Sequence, residues 1–98
     1  MLVRITKSYR DVVAICDAEL LGKQFEEGER ILDVKESFYK GDEKTTEETA
    51  EIIRDMARED PTFNIVGKES VECAKQCGLI TEESIMKVDG VPFALVLI

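Results

Sequence analysis

The chain of 98 residues contains no histidine, no tryptophan and only three cysteines. The lack of histidine removes the commonest general acid or base of enzymes and the commonest metal ligand. Structural zinc sites need four Cys or His ligands, so three cysteines cannot complete one. An odd cysteine count also argues against a closed set of disulfides and favours a reducing compartment. We therefore predict no catalytic residues, no metal site and no cofactor.

Long apolar runs are missing as well. No run approaches the ~20 residues that a bilayer-spanning helix needs, and the N-terminal stretch MLVRITKSYRD lacks the apolar core of a signal peptide. We therefore expect a cytoplasmic protein that has no membrane partner.

Acidic side chains outnumber basic ones, 21 to 13, which gives a net charge of −8. Residues 36–62 are the most acidic part, with nine acidic and four basic side chains. Because nucleic-acid phosphates are bound by a basic face, direct contact with nucleic acid is disfavoured. A basic spot at Arg4, Lys7 and Arg10 keeps that contact open, beside the simpler interpretation of ordinary solvated charges.

The hydrophobic pattern predicts a single α+β domain over residues 1–98, built on a small, mostly antiparallel sheet. Leu2–Lys7 alternates and Val12–Cys16 is apolar on both faces, so the two are expected to form a hairpin. Arg30–Val34 is a weaker strand. Val91–Ile98 is apolar throughout, which predicts a strand covered on both faces, with Val12–Cys16 as its second neighbour.

Local capping and turn residues place two to three helices on this sheet. Thr45 and Glu48 form a capping box at the start of the clearest helix. A further helix is expected over Ser70–Cys77, with Gly78 as its C-cap, and Asp17 is expected to cap a short helical turn that follows it. Before the last strand, Asp89-Gly90 predicts a two-residue type I′ hairpin turn.

The pair Gly67-Lys68 has the appearance of the end of a phosphate-binding loop. That motif requires glycine at position 62, where Thr62 stands, and Ser or Thr at position 69, where Glu69 stands. It also requires a buried strand before the loop, and we expect none there. We therefore interpret Gly67 as a point of close helix packing.

Cys73 and Cys77 are four residues apart and share one face of the expected helix. Their separation is too large for a disulfide in an intact helix. We predict that both are buried and unreactive, within a stripe of small side chains that lets the helix approach the sheet.

Five short motifs, in this order and spacing, resemble the archaeal family called domain of unknown function 424. They are Cys-Asp-x-x-Leu-x-Gly-Lys-x-Phe-x-x-Gly at 16–28, Phe-Tyr-x-Gly at 38–41, Asn-x-Val-Gly at 64–67, Gly-Leu-Ile at 78–80 and Gly-Val-Pro at 90–92. The resemblance covers nearly the whole chain and implies a small protein with no established activity. The family's association with translation genes implies ribonucleoprotein work. In the family pattern His follows Gly-Val-Pro, whereas Phe93 stands here, which favours binding over chemistry.

The resemblance implies a binding patch at the polar positions within these motifs, namely Asp17, Lys23, Tyr39, Asn64 and Lys68. We expect a non-catalytic binding module for a protein or ribonucleoprotein partner, and the sequence leaves a homodimer open. The alternative is a small-molecule-binding protein or enzyme with a pocket near Asp17, Tyr39 and Asn64. A deep pocket that joins these three side chains would favour the alternative, and a flat patch would favour the binding module.

Overall fold

The predicted α+β class is confirmed by a computed structural model, which describes all 98 residues. No helix has the length and hydrophobicity that crossing a bilayer requires. The strands are β1 (Leu2–Thr6), β2 (Val12–Cys16), β3 (Gln24–Glu27), β4 (Arg30–Asp33), β5 (Asp42–Glu43), β6 (Thr62–Val66), β7 (Met86–Val88) and β8 (Val91–Leu97). The α-helices are α1 (Glu36–Tyr39), α2 (Thr46–Met56) and α3 (Lys68–Gln76), and short 3-10 helices cover Ala18–Leu20, Ala57–Glu59 and Glu82–Ser84.

Six of the strands form one sheet in the order β5-β1-β2-β6-β8-β7, and β3 and β4 form a separate hairpin. Four of the five pairings in the large sheet are antiparallel, as predicted, and β2 with β6 is the parallel one. Because β2 and β6 are parallel neighbours, their carboxyl ends meet at the same end of the sheet.

The position of the last strand differs from the prediction. β8 lies inside the sheet, between β6 and β7, but Val12–Cys16 is not its neighbour. Thr62–Val66 separates the two, and no strand was expected there. This segment is rich in β-branched and aromatic residues, which favour a strand. The prediction of its absence was therefore wrong.

Three predictions that rest on local turn and capping residues are confirmed. The Asp89-Gly90 turn is confirmed, with φ angles of 52° and 79°. The capping box is confirmed, since Glu48 N–H donates to Thr45 Oγ1 at 3.1 Å and Thr45 N–H donates to the Glu48 carboxylate at 2.9 Å. Gly78 ends α3 with a φ of 77°. Leu79 N–H then bonds the carbonyl of Ala74, which is the Schellman arrangement.

Two hydrophobic clusters cover the large sheet. The helix-side cluster packs α2 and α3 on one face, and its buried members include Val13, Ile15, Ile53, Phe63, Ile65 and Val71. The hairpin-side cluster packs the β3–β4 hairpin and α1 on the other face. It includes Cys16, Leu32, Val34, Tyr39, Val66 and Val88.

Candidate functional site

Asp17 follows β2 at the end of the sheet where α3 begins. Its side chain is 3% exposed and does not cap the short helix after it, so that prediction was wrong. It caps α3 instead. Its carboxylate accepts hydrogen bonds from Glu69 N–H at 3.1 Å, Ser70 N–H at 2.8 Å and Ser70 Oγ at 2.7 Å. A side chain more than fifty residues away thus satisfies the first turn of α3.

Gly67 explains why the cap comes from a distance. It occupies the N-cap position of α3 and has no side chain to fill that role. Its φ of 108° is reached readily only by glycine. A Cβ there would lie 2.3 Å from Asp17 Cγ. The close approach predicted at Gly67 is present, but its neighbour is the carboxylate of Asp17 and not a packed helix.

The strand β6, the turn at Gly67 and the helix α3 do form the strand–turn–helix that a phosphate loop requires, which corrects our expectation. The amides that bind phosphate at such a terminus are those of the first helical turn. Here two of them already donate to the Asp17 carboxylate. A phosphate would have to displace the buried Asp17 carboxylate from these amides and would then lie beside its negative charge, which disfavours anion binding at this terminus.

Three carboxylates gather near this terminus. Ligand atoms of Asp17, Glu19 and Glu69 lie within 4.8 Å of one another. Both oxygens of Asp17 already accept hydrogen bonds, and the other two side chains are exposed. The cluster is therefore accounted for by one helix cap and two solvated acids.

Two shallow clefts flank the start of α3, and Lys68 lines both. The first, of about 260 Å³, lies between the Asp17–Leu20 segment, Gly67 and the β7–β8 turn. The second lies beside α3 and reaches Thr46 and Gln76. Neither contains Tyr39 or Asn64.

The five predicted binding residues are not brought together. Asp17 and Lys68 meet at the first cleft, and Lys23 is exposed before β3. Tyr39 is buried in the hairpin-side cluster, where burial raises its pKa to about 12. Asn64 is half-buried on β6. Phe93 is half-buried against the hairpin-side cluster, so it packs where the family pattern has His.

Cys73 and Cys77 line the side of α3 that faces α2. Their thiols lie 3.6 Å from the carbonyl of Thr46 and 4.0 Å from that of Ala50. The two cysteines thus lie against α2, whereas the stripe was expected to let the helix approach the sheet. Cys73 is buried as predicted, whereas Cys77 is only half-buried.

We expect a thiol reagent to leave Cys16 and Cys73 unmodified in the native protein and to modify Cys77 slowly. Burial raises the pKa of Cys16 and of Cys73 to about 11, so little reactive thiolate exists near neutral pH. A short pulse of N-ethylmaleimide, read by mass spectrometry with and without denaturant, measures this. Fast modification of Cys73 without denaturant would contradict the packing described.

A part of the hairpin-side face is left uncovered. Residues that are paired across neighbouring strands lie on the same face of the sheet and form a row across it. Two adjacent rows on this face lie outside the area that the β3–β4 hairpin covers. We call these eight positions the open face: Arg4, Ala14, Asn64 and Leu95 in one row, and Thr6, Val12, Thr62 and Leu97 in the next. Only Ala14 among them is buried. Leu95 is 53% exposed and Leu97 is 70% exposed, so the prediction that both faces of the last strand are covered was wrong.

Sequence reasoning missed the open face except for Asn64 and Arg4. Arg4 belonged to the basic spot suggested near the N-terminus, and its guanidinium donates to the carbonyl of Lys40 at 3.0 Å. The exposure of Leu95 and Leu97 could not be predicted, because a strand that is apolar at every position does not show which of its side chains are left uncovered.

Comparisons with known proteins agree with the sequence resemblance. A family model described as "Protein of unknown function (DUF424)" matches residues 5–98. The crystal structure of an uncharacterized conserved protein from Methanopyrus kandleri is similar, with a TM-score of 0.86 and 27% identity over 97% of this chain and 88% of that chain. No curated protein matches. Since the family model spans nearly all of the sequence, the chain belongs to the DUF424 family of proteins of unknown function.

Proposed function

We propose that the protein is a non-catalytic binding module whose open face receives a protein partner, alone or within a ribonucleoprotein. One observation carries this proposal: the open face exposes Leu95 and Leu97 side by side on one face of the sheet. Exposed apolar patches with polar surroundings are typical of protein interaction sites.

The charge distribution supports the same proposal. The eight side chains of the open face include one base, Arg4, and no acid, although the chain has 21 acidic residues. Interface centres are depleted of charged side chains, with Arg as the common exception. An apolar partner surface with an acidic group opposite Arg4 fits this face.

The alternative of a small-molecule pocket has less support. Asp17, Tyr39 and Asn64 do not line a common cavity. The Asp17 carboxylate already has three hydrogen-bond donors. The side chain of Tyr39 is buried in an apolar cluster. Of the five residues implied by the family pattern, we retain Asn64 as a contact residue, because it lies in the open face.

Co-purification from cells that produce the protein naturally tests the proposal. We expect capture of a partner to fall on the order of tenfold with Arg4→Glu, which reverses the one charge of the open face, or with Leu95→Lys, which places a charge in its apolar part. Arg58→Glu is the matched control for Arg4→Glu, since it makes the same charge change at an exposed site beyond α2.

Each preparation is split, and one half is treated with ribonuclease. A partner that remains after ribonuclease is bound through protein, and one that is released is held in a ribonucleoprotein. Capture that is equal for all variants, or that is lost only with Arg58→Glu, would refute the open face as the binding surface.

A further inference from the structure

The outer edge of β8 is paired along only part of its length. β7 pairs with Val91–Phe93, and no strand pairs with the outer side of β8 after Phe93. Ile98 N–H donates to the carbonyl of Pro61, and the carbonyl of Pro92 accepts from Gly67, both on the β6 side. Because backbone groups alternate along a strand, even-numbered residues of β8 face β6 and odd-numbered residues face outward.

It follows that the N–H and C=O groups of Leu95 and Leu97 lie in the plane of the sheet and point outward, away from β6. Neither residue has a backbone hydrogen bond on that side. We call the outer side of residues 95–98 the free edge. Native proteins commonly protect such edges with charged side chains, proline or a covering segment. The free edge contains no charged side chain and no proline, and its two outward residues are exposed leucines.

The free edge is complementary to itself. In an antiparallel pair, outward residues meet in hydrogen-bonded pairs. A two-fold axis at Val96 would set Leu95 of each copy opposite Leu97 of the other. This register forms four backbone hydrogen bonds and ends before the first residue of β7, Met86, which pairs with Phe93.

We propose that two copies of the chain pair through this free edge and join their six-stranded sheets into one of twelve strands. The two-fold axis is perpendicular to the sheet, so both open faces lie on the same side and the four exposed leucines become neighbours. The absence of acidic side chains from the rows that meet there allows two chains of net charge −8 to approach. The pairing leaves the open faces accessible. The dimer proposal does not depend on whether the open face binds the proposed partner.

Sedimentation equilibrium of the purified protein tests the pairing. One strand pair is a small interface, so we expect a dissociation constant on the order of 10 μM. Leu97→Pro removes an outward N–H that no neighbour within the chain uses, twice in each dimer. We expect it to weaken the dimer about a hundredfold and to keep the fold.

Ile5→Pro is the matched control, because it makes the same change on the other edge of the sheet. Met1 and Lys44 bond each other across β1 and β5, so odd-numbered residues of β1 face outward, and no bond from Ile5 N–H is formed there. This variant should dimerise as the unaltered protein does. A monomeric unaltered protein at about 500 μM, far above the expected constant, overturns the proposal. A Leu97→Pro variant that is folded and still dimeric overturns it as well.

Amide hydrogen exchange provides a test that needs no variant. We expect the Leu95 and Leu97 amides to be protected at high protein concentration and to exchange fast after dilution, whereas the Val96 amide stays protected because it faces β6. Fast exchange of Leu95 and Leu97 at every concentration overturns the pairing.

Discussion

Asp17→Ala is expected to lower the free energy of unfolding by about 3–5 kcal/mol, because it removes an acceptor of three hydrogen bonds and leaves the first turn of α3 without a cap. Against a total stability of roughly 5–15 kcal/mol, this is a large fraction. We expect the melting temperature to fall by roughly 15–30 °C.

Glu19→Ala is the matched control, since Glu19 is an exposed carboxylate in the same cleft. We expect this control to change stability by less than about 0.5 kcal/mol. Chemical denaturation of both variants measures the difference. Equal, small effects would mean that the buried carboxylate does not hold the start of α3.

Gly67→Ala is expected to cost about 3–5 kcal/mol for two separate reasons. The backbone conformation, with φ 108° and ψ 156°, is strained for any residue with a Cβ. The new Cβ would also overlap the carboxylate of Asp17. Gly28→Ala separates these reasons, because Gly28 also has a positive φ but has open space around it. We expect that control to cost only about 1 kcal/mol.

Combining Asp17→Ala with Gly67→Ala tests whether the two residues act on each other. Once the carboxylate is removed, the overlap with the new Cβ disappears and only backbone strain remains. The double variant should therefore be destabilised by about 1–3 kcal/mol less than the sum of the single variants. Strict additivity in denaturant titrations would show that the close contact has no energetic consequence.

The elements that sequence reasoning predicted correctly depend on residues adjacent in the chain. The Asp89-Gly90 turn needs two positive φ angles, and the Thr45–Glu48 box needs only one helical turn. Both are present in the structure. Such signals hold because distant parts of the chain have little influence on them.

The errors arose where residues distant in sequence meet. To place the second neighbour of β8, Thr62–Val66 has to be recognised as a strand. The one parallel pairing of the large sheet joins this strand to β2, and the whole of α2 lies between the two in sequence. The true role of Asp17 depended on the same pairing, because its donors are 52 and 53 residues away. Its position before a helical turn suggested a local cap, and tertiary structure provided a different helix.

The open face could be predicted only in part, again for a physical reason. Polar Asn64 and Thr62 alternate with buried Phe63 and Ile65 on β6, which does indicate an uncovered side. β8 gives no such indication, because Leu95 and Leu97 are as apolar as the buried residues around them. Which leucines are exposed is decided by how far the β3–β4 hairpin extends across the sheet.

Asp17 already fills the amide site at the start of α3, and we therefore expect that phosphate does not bind there. Titration of nitrogen-15-labelled protein with inorganic phosphate, followed by amide resonances, tests it most directly. We predict that the Glu69 and Ser70 resonances stay in place up to about 10 mM phosphate, because their N–H groups are bonded to the carboxylate. A saturable shift of these two amides at lower phosphate concentrations would contradict the claim.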